Sequence, residues 1–413
     1  MKVTLNECLN RRIRMLDGQW QGILKASDGC VYTFAGSHRP DLGAPFFRYV
    51  PNTDGPGRIE MIHESMSAVC GEDSTKVPAQ GKVHSDILEH EGWLYFATHL
   101  SDYSTAGRGA YTGAHLVRYE LSTGRFRDYG IIHPNYTNYS GIGLDRARGR
   151  IYFYTTPFAD RPDVDGPHMH RVDIATGANE DLGLIVPWSI RVNSPGVDMD
   201  HTDHSRGQSV PHMHVDARGD CWFTIRDEGK LERGLWVVRG ATGRIERFPD
   251  ALPEGQRRWL SMASLDEERA LALMEGGAWV FDAARFDGTR SAFRLLKAID
   301  HPGLSWSSLG VGGGRFFWNC RDDTERHRTK FPVMRLFSAS LEHPERTVEH
   351  GAIRDAQDRI PRGLSGIVPS DDGRVYLCGR WHVLDEEFET LGVDRHGHIV
   401  AAYFTELDVR EDI

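Results

Sequence analysis

Short apolar segments introduced by a glycine or a charged residue recur along the whole chain. Seven of them begin at Asp28, Gly92, Gly149, Gly219, Arg269, Gly314 and Asp372. A second turn pattern repeats as Ser122-Thr123-Gly124, Ala175-Thr176-Gly177 and Ala241-Thr242-Gly243. Glycine suits such turns because they need a positive φ. Apolar segments of this length between tight turns predict short antiparallel strands, and long amphipathic helices are not evident.

The spacing of the repeats indicates the architecture. Strands that would open each repeat start near Trp20, His84, Tyr139, His212, Leu260, Trp306 and Leu364. Their intervals of roughly 45 to 75 residues are typical of propeller blades with insertions in the loops, whereas a solenoid would need polar capping units. We predict an all-β, seven-bladed β-propeller with four antiparallel strands per blade, forming a single domain over residues 1–413. A pair of β-sandwiches and a β-helix are the alternatives.

Composition narrows the classes of function. The formal net charge is −10 and no dense cluster of Lys or Arg is present, which argues against a nucleic-acid surface. The first residues contain no apolar signal-peptide core, and no window is long and apolar enough to span a membrane. We therefore expect a cytoplasmic protein without nucleic-acid or membrane partners. Its six cysteines are few for the length, and we expect them to be reduced thiols.

Polar residues stand where the predicted blades reach one face of the propeller. The loop before the first strand of a blade and the loop after its second strand share that face, around the central axis. These positions hold His38, His84, His99, His115, Tyr139 and Tyr154. A His/Tyr cluster suits acid–base catalysis because imidazole titrates near neutral pH. A single histidine at a strand end is more often solvated or hydrogen-bonded in the core, which is the alternative for each.

A second histidine-rich pattern surrounds the fourth predicted blade. His212 and His214 would point to the same side of a strand, and Cys221 opens the next strand. His168 and His170 repeat this alternation in the preceding blade. Imidazole with thiolate favours zinc, whereas imidazole with carboxylate or amide oxygen would fit manganese or calcium less selectively. The alternative is a hydrogen-bonded seam of histidines between blades.

Stretches of the first blades carry a resemblance to a known family. They are Gln19-Trp20-Gln21-Gly22-Ile23 with Cys70-Gly71-Glu72-Asp73, the stretch from Gly81 to His99, and Tyr111-Thr112-Gly113-Ala114-His115. These motifs resemble the propeller superfamily that contains the ulvan lyases, the rhamnose–glucuronate lyases and a family of α-L-rhamnosidases. The similarity covers nearly the whole chain, with motifs that are specific in the first three blades and weak after residue 240. It implies β-elimination at a uronic acid, or removal of a rhamnose that caps a glucuronate.

The resemblance also implies roles for individual residues. His84 and His99 match the histidine pair of the lyases, and Tyr139 matches their tyrosine. The arginine of the lyases is not matched cleanly, since Tyr154 stands at the equivalent strand end and Arg161 follows in the loop. Some members hold zinc through histidines and a cysteine, which could be supplied here, as a structural site, by His170, His212, His214 and Cys221.

The resemblance thus implies a lyase that cleaves a glycosidic bond next to a uronate by β-elimination. A protonated His99, or Arg161, would bind the carboxylate while Tyr139 or His84 removes the C5 proton. The partner would be an acidic oligosaccharide or polysaccharide, and without a signal peptide an imported oligosaccharide fits better. No organic cofactor is expected. Substrate contacts are expected from His38, His115, Tyr154 and Arg161.

Two other functions stay open at this point. An α-L-rhamnosidase-type glycoside hydrolase would depend on His38, the nearest match to the first-blade histidine of the rhamnosidases. The carboxylate pair of ordinary glycosidases is not evident on the predicted rim. A non-catalytic propeller that binds partners would present exposed aromatics and arginines rather than clustered histidines.

Overall fold

Seven small antiparallel sheets are arranged as the blades of a β-propeller. The structure is a computed structural model, and it describes residues 1–53, 55–157, 165–187, 210–225, 234–299, 308–326, 332–382, 392–393 and 399–410. The strands of each blade follow one another in the sheet, and the inner strands of neighbouring blades contact each other around the axis. The predicted fold class is confirmed.

The first strand of the chain, β1 (Lys2–Cys8), belongs to the last blade, and blades one to three follow it. Blade one contains β2 (Ile23–Lys25), β3 (Val31–Phe34), β4 (Phe46–Asn52) and β5 (Gly55–His63). Blade two contains β6 (Leu88–His90), β7 (Trp93–Ala97), β8 (His115–Glu120) and β9 (Phe126–Ile131). Blade three contains β10 (Tyr136–Thr137), β11 (Ile142–Asp145), β12 (Arg150–Pro157), β13 (His168–Asp173) and β14 (Asn179–Leu184), with both β10 and β11 paired to β12.

The remaining blades use strands β15 to β30. Blade four contains β15 (Met213–Val215), β16 (Cys221–Phe223), β17 (Leu235–Val238) and β18 (Ile245–Phe248). Blade five contains β19 (Ser261–Ser264), β20 (Arg269–Met274), β21 (Gly277–Asp282) and β22 (Phe293–Ala298). Blade six contains β23 (Leu309–Gly312), β24 (Arg315–Arg326), β25 (Pro332–Ser340) and β26 (Thr347–Ala352). Blade seven contains β27 (Pro361–Pro369), β28 (Arg374–His382), β29 (Gly392–Val393) and β30 (Ile399–Asp408).

The two ends of the chain close the ring in blade seven. Strand β1 pairs antiparallel with β30, in a register that runs from Lys2 opposite Asp408 to Cys8 opposite Tyr403. The hydroxyl of Thr4 donates to Glu406 Oε1 at 2.7 Å, which adds a side-chain bond to the ladder. Strand β1 is the outermost strand of blade seven, so residues from both ends of the chain form one blade and close the ring.

Apolar side chains fill the spaces between neighbouring blades. Phe34, Phe46 and Phe96 form one such cluster between blades one and two, with the Phe34 and Phe46 ring centroids 4.4 Å apart. Trp222 and Phe281 lie in the cluster that joins blades four and five, 5.3 Å apart. Alternate residues of each strand face these clusters, so apolar side chains are buried on both faces of the inner sheets.

The predicted turns and inner strands agree with the structure. The repeated Thr-Gly turns place Gly124, Gly177 and Gly243 at φ values of 72°, 83° and 72°, where a side chain would be strained. Inner strands begin within a few residues of the predicted starts, such as β19 at Ser261 against Leu260. All six cysteines are free thiols, as expected.

Helices are short and confined to loops in the described part of the chain. They are α1 (Met66–Val69) and α2 (Thr105–Ala110), with 3-10 turns at Leu9–Arg11, Ala283–Arg285 and Arg290–Ala292. The side chains of Ser65 and Ser104 cap the two α-helices by accepting backbone N–H bonds. Neither helix has the length and apolar character that crossing a membrane requires.

Candidate active site

A cavity of about 390 Å³ lies on the axis at the face where the inner strands begin, here called the top face. Most residues around it come directly before, or at the start of, an inner strand, and all seven blades contribute. Blades one to three supply Trp20, His84 and Tyr139, which we call the aromatic arc. Blades five to seven supply Arg258, Arg321, Arg362 and Arg380, which we call the arginine arc.

The aromatic arc is a stack of rings. His84 lies between Trp20, with ring centroids 5.3 Å apart and an interplanar angle of 17°, and Tyr139, at 4.7 Å and 33°. Gln21 and Ser140, which follow Trp20 and Tyr139, have positive φ values of 55° and 82°. Such backbone is costly for residues with a side chain and is found at functional sites, so both loops are held in a defined conformation.

The imidazole of His84 is neutral and has an unused nitrogen. The residue is 6% exposed, and its Nε2 has no hydrogen-bond partner among the described residues. Burial, with smaller contributions from His99 and Lys82, lowers the pKa of His84 well below its usual value. A buried polar atom without a partner is costly, which is the situation expected where a ligand completes the site.

His99 lies behind His84 rather than on the cavity. It is fully buried, with its ring centroid 4.3 Å from that of His84. The carbonyl oxygen of Asn138 can only accept, so the 2.7 Å contact places a proton on Nδ1 of His99. Nε2 then accepts from the hydroxyl of Tyr103, also at 2.7 Å. Because burial lowers the pKa of His99 well below its usual value, the geometry favours a neutral positioning residue over a protonated carboxylate binder.

The arginine arc places four guanidinium groups around one cavity in a chain whose net charge is −10. No aspartate or glutamate is among the described residues that line it. Arg380 reaches Trp20, with its guanidinium carbon 5.7 Å from the ring centroid, so the two arcs meet there. A Cβ at Gly18 would lie 2.6 Å from Cγ of Arg380, which explains why glycine is needed beside this side chain.

The arginine arc was missed in the sequence although a signal for it existed. Arg258 comes before the inner strand of blade five, and Arg362 lies at the start of the inner strand of blade seven. Arg321 and Arg380 lie in the distal parts of the second strands β24 and β28. His84 and His99 occupy the equivalent positions in blade two, before the first strand and at the end of the second. Applying the same positional rule to blades five to seven would have found the four arginines.

His212 lies in the cavity and not in a metal site. Its Nδ1 is 3.0 Å from Asp86 Oδ2, and Gln21 Nε2 donates to Asp86 Oδ1 at 3.0 Å. The carboxylate therefore orients the ring through an Nδ1–H donor, and Nε2 lies 3.3 Å from the hydroxyl of Ser261. A histidine held by a carboxylate at the cavity edge is a second group able to exchange protons or hydrogen bonds with a ligand.

The other metal ligands expected in blade four do not converge. His214 pairs with Trp222 across the strands, while Cys221 pairs with Val215, so the His214 and Cys221 side chains point to opposite faces. Cys221 Sγ lies 3.6 Å from the sulfur of Met213, and burial raises its thiol pKa well above the usual value. The expected set of two histidines and this cysteine is therefore not assembled in blade four.

Three of the expected substrate contacts lie away from the cavity, and the fourth is outside the described residues. His38 is held by Asp17, with 2.7 Å from Nδ1 to Oδ2, and makes an edge contact with Trp20 without being among the described residues that line the cavity. Tyr154 is fully buried in the apolar cluster between blades three and four. Arg161 lies outside the described residues.

His115, the third of these, belongs to a separate buried cluster of blade two. Its Nδ1 is 2.9 Å from Asp128 and its Nε2 is 3.2 Å from Glu72, so both ring nitrogens face carboxylates. Burial opposes the charged form, but hydrogen bonds to Asp128, Cys70 and Glu72 prevail and raise the pKa of His115 to about 11. The geometry is that of an imidazolium held between two carboxylates.

A different group of side chains could hold a metal ion. His133, His168, His170 and Asp181 place ligand atoms within 4.8 Å of one another, and so do Cys70, His115 and Asp128. Burial lowers the pKa of His170 to about 4 and also lowers that of His133. Of the four metal ligands predicted from the sequence, His170 is the one that lies in such a group among the described residues.

Known proteins resemble this chain in their fold and not in their sequence. No family model and no curated protein matches the sequence. A GH74 xyloglucanase from Xanthomonas campestris is 13% identical with a TM-score of 0.54, covering 91% of this chain and 53% of that chain. An oligogalacturonate lyase in complex with manganese is 11% identical with a TM-score of 0.49, covering 95% and 98%. An extracellular domain of a two-component system protein from B. thetaiotaomicron is 10% identical with a TM-score of 0.49, covering 95% and 39%.

The chain thus spans about two fifths of the length of the B. thetaiotaomicron extracellular domain and about half of the xyloglucanase. At identities of 10% to 13% the likeness shows the fold alone. Fold and cavity together define a seven-bladed β-propeller whose top-face cavity is lined by arginines and histidines.

Proposed function

We propose that this propeller is a lyase that cleaves an acidic oligosaccharide by β-elimination next to a uronate. One observation carries the proposal. The cavity combines four arginines with His84, whose buried Nε2 has no hydrogen-bond partner among the described residues, and with Tyr139, and none of its described lining residues is acidic. This arrangement supports an anionic ligand and proton transfer without a carboxylate.

The arginine arc would bind and neutralise the uronate carboxylate. The C5 proton of a uronate is weakly acidic, because removing it places charge on the adjacent carboxylate as an enediolate. Guanidinium groups fixed around that carboxylate stabilise the developing charge, and a single preorganised donor of this kind contributes about 10²–10³ in rate. We therefore assign to Arg258, Arg321, Arg362 and Arg380 the role first expected of His99 or Arg161.

The aromatic arc would move the proton. Neutral His84 accepts the C5 proton on its imidazole, the C5–H electrons form the C4–C5 double bond, and the bond from C4 to the leaving oxygen breaks. The hydroxyl of Tyr139 protonates that oxygen, and the proton on His84 then restores the phenol. The two rings are 4.7 Å apart, which allows this return. His99 holds the ring of His84 in place and does not touch substrate.

Hydrolysis that depends on His38 is less well supported. His38 contacts the edge of Trp20, is bonded to Asp17, and is not among the described residues that line the cavity. Ordinary glycoside hydrolysis uses two carboxylates about 5–10 Å apart. The described lining residues offer no such pair. A non-catalytic role is also less well supported, because it gives no reason for keeping a buried His84 nitrogen without a hydrogen-bond partner, which costs stability.

The proposal is tested by following unsaturated uronate absorbance with a small panel of glucuronate-containing oligosaccharides. The decisive control is the same panel with the uronate carboxyl reduced to an alcohol, because the arginine arc then has no carboxylate to neutralise. We expect absorbance to rise with the acids and not with the alcohols. Equal turnover of both, or product without absorbance, would contradict elimination. A cytoplasmic location and an imported oligosaccharide as substrate stay predictions.

A further inference from the structure

Four side chains converge on the top face where blade two passes into blade three. His133 follows β9 in the connection between the blades, His168 and His170 lie in β13, and Asp181 lies in β14. His133 Nδ1 is 3.1 Å from His170 Nε2, and His168 Nδ1 is 3.0 Å from both carboxylate oxygens of Asp181. Strand alternation puts His168 and His170 on one face, and the β13–β14 register places Asp181 opposite His170.

The surroundings orient one lone pair into this cluster. The side-chain amide of Asn179 donates to the carbonyl of Ile132 at 2.8 Å, which directs its oxygen to Nδ1 of His170 at 3.3 Å. An amide oxygen only accepts, so Nδ1 of His170 carries the proton and its Nε2 presents a lone pair to His133. Outer hydrogen bonds of this kind fix the tautomer of metal-binding histidines.

The second pair of side chains is oriented in the same way. Nε2 of His168 lies 3.0 Å from Asp165, which also accepts from the hydroxyl of Tyr136 at 3.2 Å. A proton on Nε2 of His168 leaves Nδ1 directed at the Asp181 carboxylate. The ring of His133 stacks on Tyr136, with centroids 3.8 Å apart, and is held in position. One ligand atom from each of the four side chains therefore lies within 4.8 Å of the others.

The distances fit a small divalent ion. Zinc binds imidazole nitrogen at about 2.0–2.1 Å, so two nitrogens of a tetrahedral site lie about 3.3 Å apart. The separation of 3.1 Å between His133 and His170 is close to this value. Asp181 is exposed and His168 is intermediate, so both can adjust toward the ion.

The Cys70, His115 and Asp128 group differs in its ligands. Its single imidazole, His115, has a carboxylate at each ring nitrogen, at 2.9 Å and 3.2 Å. The cluster of blade three has three imidazoles, and Nε2 of His170 faces His133 and not a carboxylate. Charge and hydrogen bonding within that group are complete without a metal. It therefore serves as an internal comparison for the cluster of blade three.

We propose that His133, His168, His170 and Asp181 form a binding site for a divalent transition metal, best suited to Zn²⁺. The donor set of three imidazoles and one carboxylate is typical of zinc and uses no cysteine. The ion ties the connection between blades two and three to β13 and β14. That connection continues through Asn138, which accepts from His99, to Tyr139 of the aromatic arc. The site is thus a structural support for the cavity, and its existence does not depend on the proposed reaction.

The test uses the full chain, stripped with chelator and dialysed, and then titrated with Zn²⁺ against a chromophoric competitor. Bound metal is measured by elemental analysis, and Co²⁺ replaces Zn²⁺ to report tetrahedral geometry by its visible absorption. The variants are Asp181→Asn and His133→Gln, with Cys70→Ser as the variant of the rival group. His343→Gln is the matched control, since His343 is exposed and distant from both groups.

We expect one tightly bound Zn²⁺ per chain in the wild type, the Cys70→Ser variant and the control. Asp181→Asn and His133→Gln should bind it at least about 10–100-fold more weakly, the loss that even outer residues of zinc sites produce. Asp181→Asn is an exposed, nearly isosteric change, so it decides the outcome if His133→Gln fails to fold. Absence of stoichiometric Zn²⁺, equal binding by all variants, or loss only in Cys70→Ser would each overturn the proposal.

Discussion

The aromatic arc and the arginine arc share one cavity but are built in different ways. In the aromatic arc, burial lowers the pKa of His84 and leaves its Nε2 without a hydrogen-bond partner among the described residues. The imidazole is therefore neutral and can accept a proton. The arginine arc contributes permanent charge, because guanidinium stays protonated at any accessible pH. One arc is therefore suited to exchanging a proton and the other to holding an anion. The comparison predicts that the two arcs respond differently to mutation and to pH.

The largest effect is expected in the aromatic arc from Tyr139→Phe. This change removes the hydroxyl that protonates the leaving oxygen but keeps the ring that stacks on His84. We expect kcat to fall about 10²–10⁴-fold with little change in KM, because proton transfer is lost while binding is retained. Steady-state kinetics measure it, and an unchanged melting temperature serves as the control. Retention of full kcat would exclude the phenol from proton transfer.

The arginine arc should respond in KM as well as in kcat. Arg362→Gln removes one cation from the carboxylate site, so kcat/KM is expected to fall about 10²–10³-fold. Arg362→Lys should recover part of the loss, because charge returns without the bidentate geometry. Arg285→Gln, at an exposed and remote position, is the matched control. If Arg362→Gln behaved like the control, this residue would not belong to the carboxylate site.

The arcs should also differ in pH dependence. His84 must be neutral to accept a proton, and its folded pKa lies well below the usual 6.5. Its neutral form therefore persists as the pH falls through 6.5, and the acid limb of the kcat/KM profile is expected below that value. A pH–rate profile, with folding monitored by circular dichroism at each pH, makes the measurement. An acid limb centred at or above pH 6.5 would show that a different group is the base.

The smallest effect on turnover is expected behind the aromatic arc, from His38→Gln. This residue packs on Trp20 without lining the cavity, so the lyase rate should change less than about tenfold. Stability should fall by about 1–3 kcal/mol, because the buried Asp17 loses the imidazole that is bonded to it. Chemical denaturation and kinetics on the same sample separate the two effects. A large loss of turnover with release of free rhamnose would favour the hydrolase instead.

The fold and the aromatic arc could be predicted because local patterns determine them. Turn glycines, apolar segments and their spacing give strands and blades, and topology then places His84 and Tyr139 on one rim. The closure of the ring by Lys2–Cys8 could not be predicted, since nothing in that strand specifies pairing with β30. The arginine arc was missed because the resemblance weakens in the later blades, although the rim positions themselves are regular.

The four metal ligands predicted from the sequence do not converge in the structure, because their positions depend on strand register. Spacing along a strand places side chains on a face, but it does not decide which residue of the next strand lies opposite. Cys221 pairs with Val215, one position after His214, so its side chain lies on the opposite face of the sheet from His214. His212 comes just before β15, and its ring is bonded to Asp86. His133 lies 35 positions before His168 in a connecting loop, and Asp181 pairs through a bulged ladder. Side chains this far apart in the sequence are brought together by tertiary packing, which local sequence patterns do not predict.

The most direct test of the shared cavity is the mass of the products formed from a defined glucuronate-containing oligosaccharide in ¹⁸O-labelled water. If the two arcs perform elimination, the masses of the two products sum to that of the substrate, and neither product carries the label. If the products together gain one labelled water, the reaction is hydrolysis and the assignment of the two arcs to elimination is wrong.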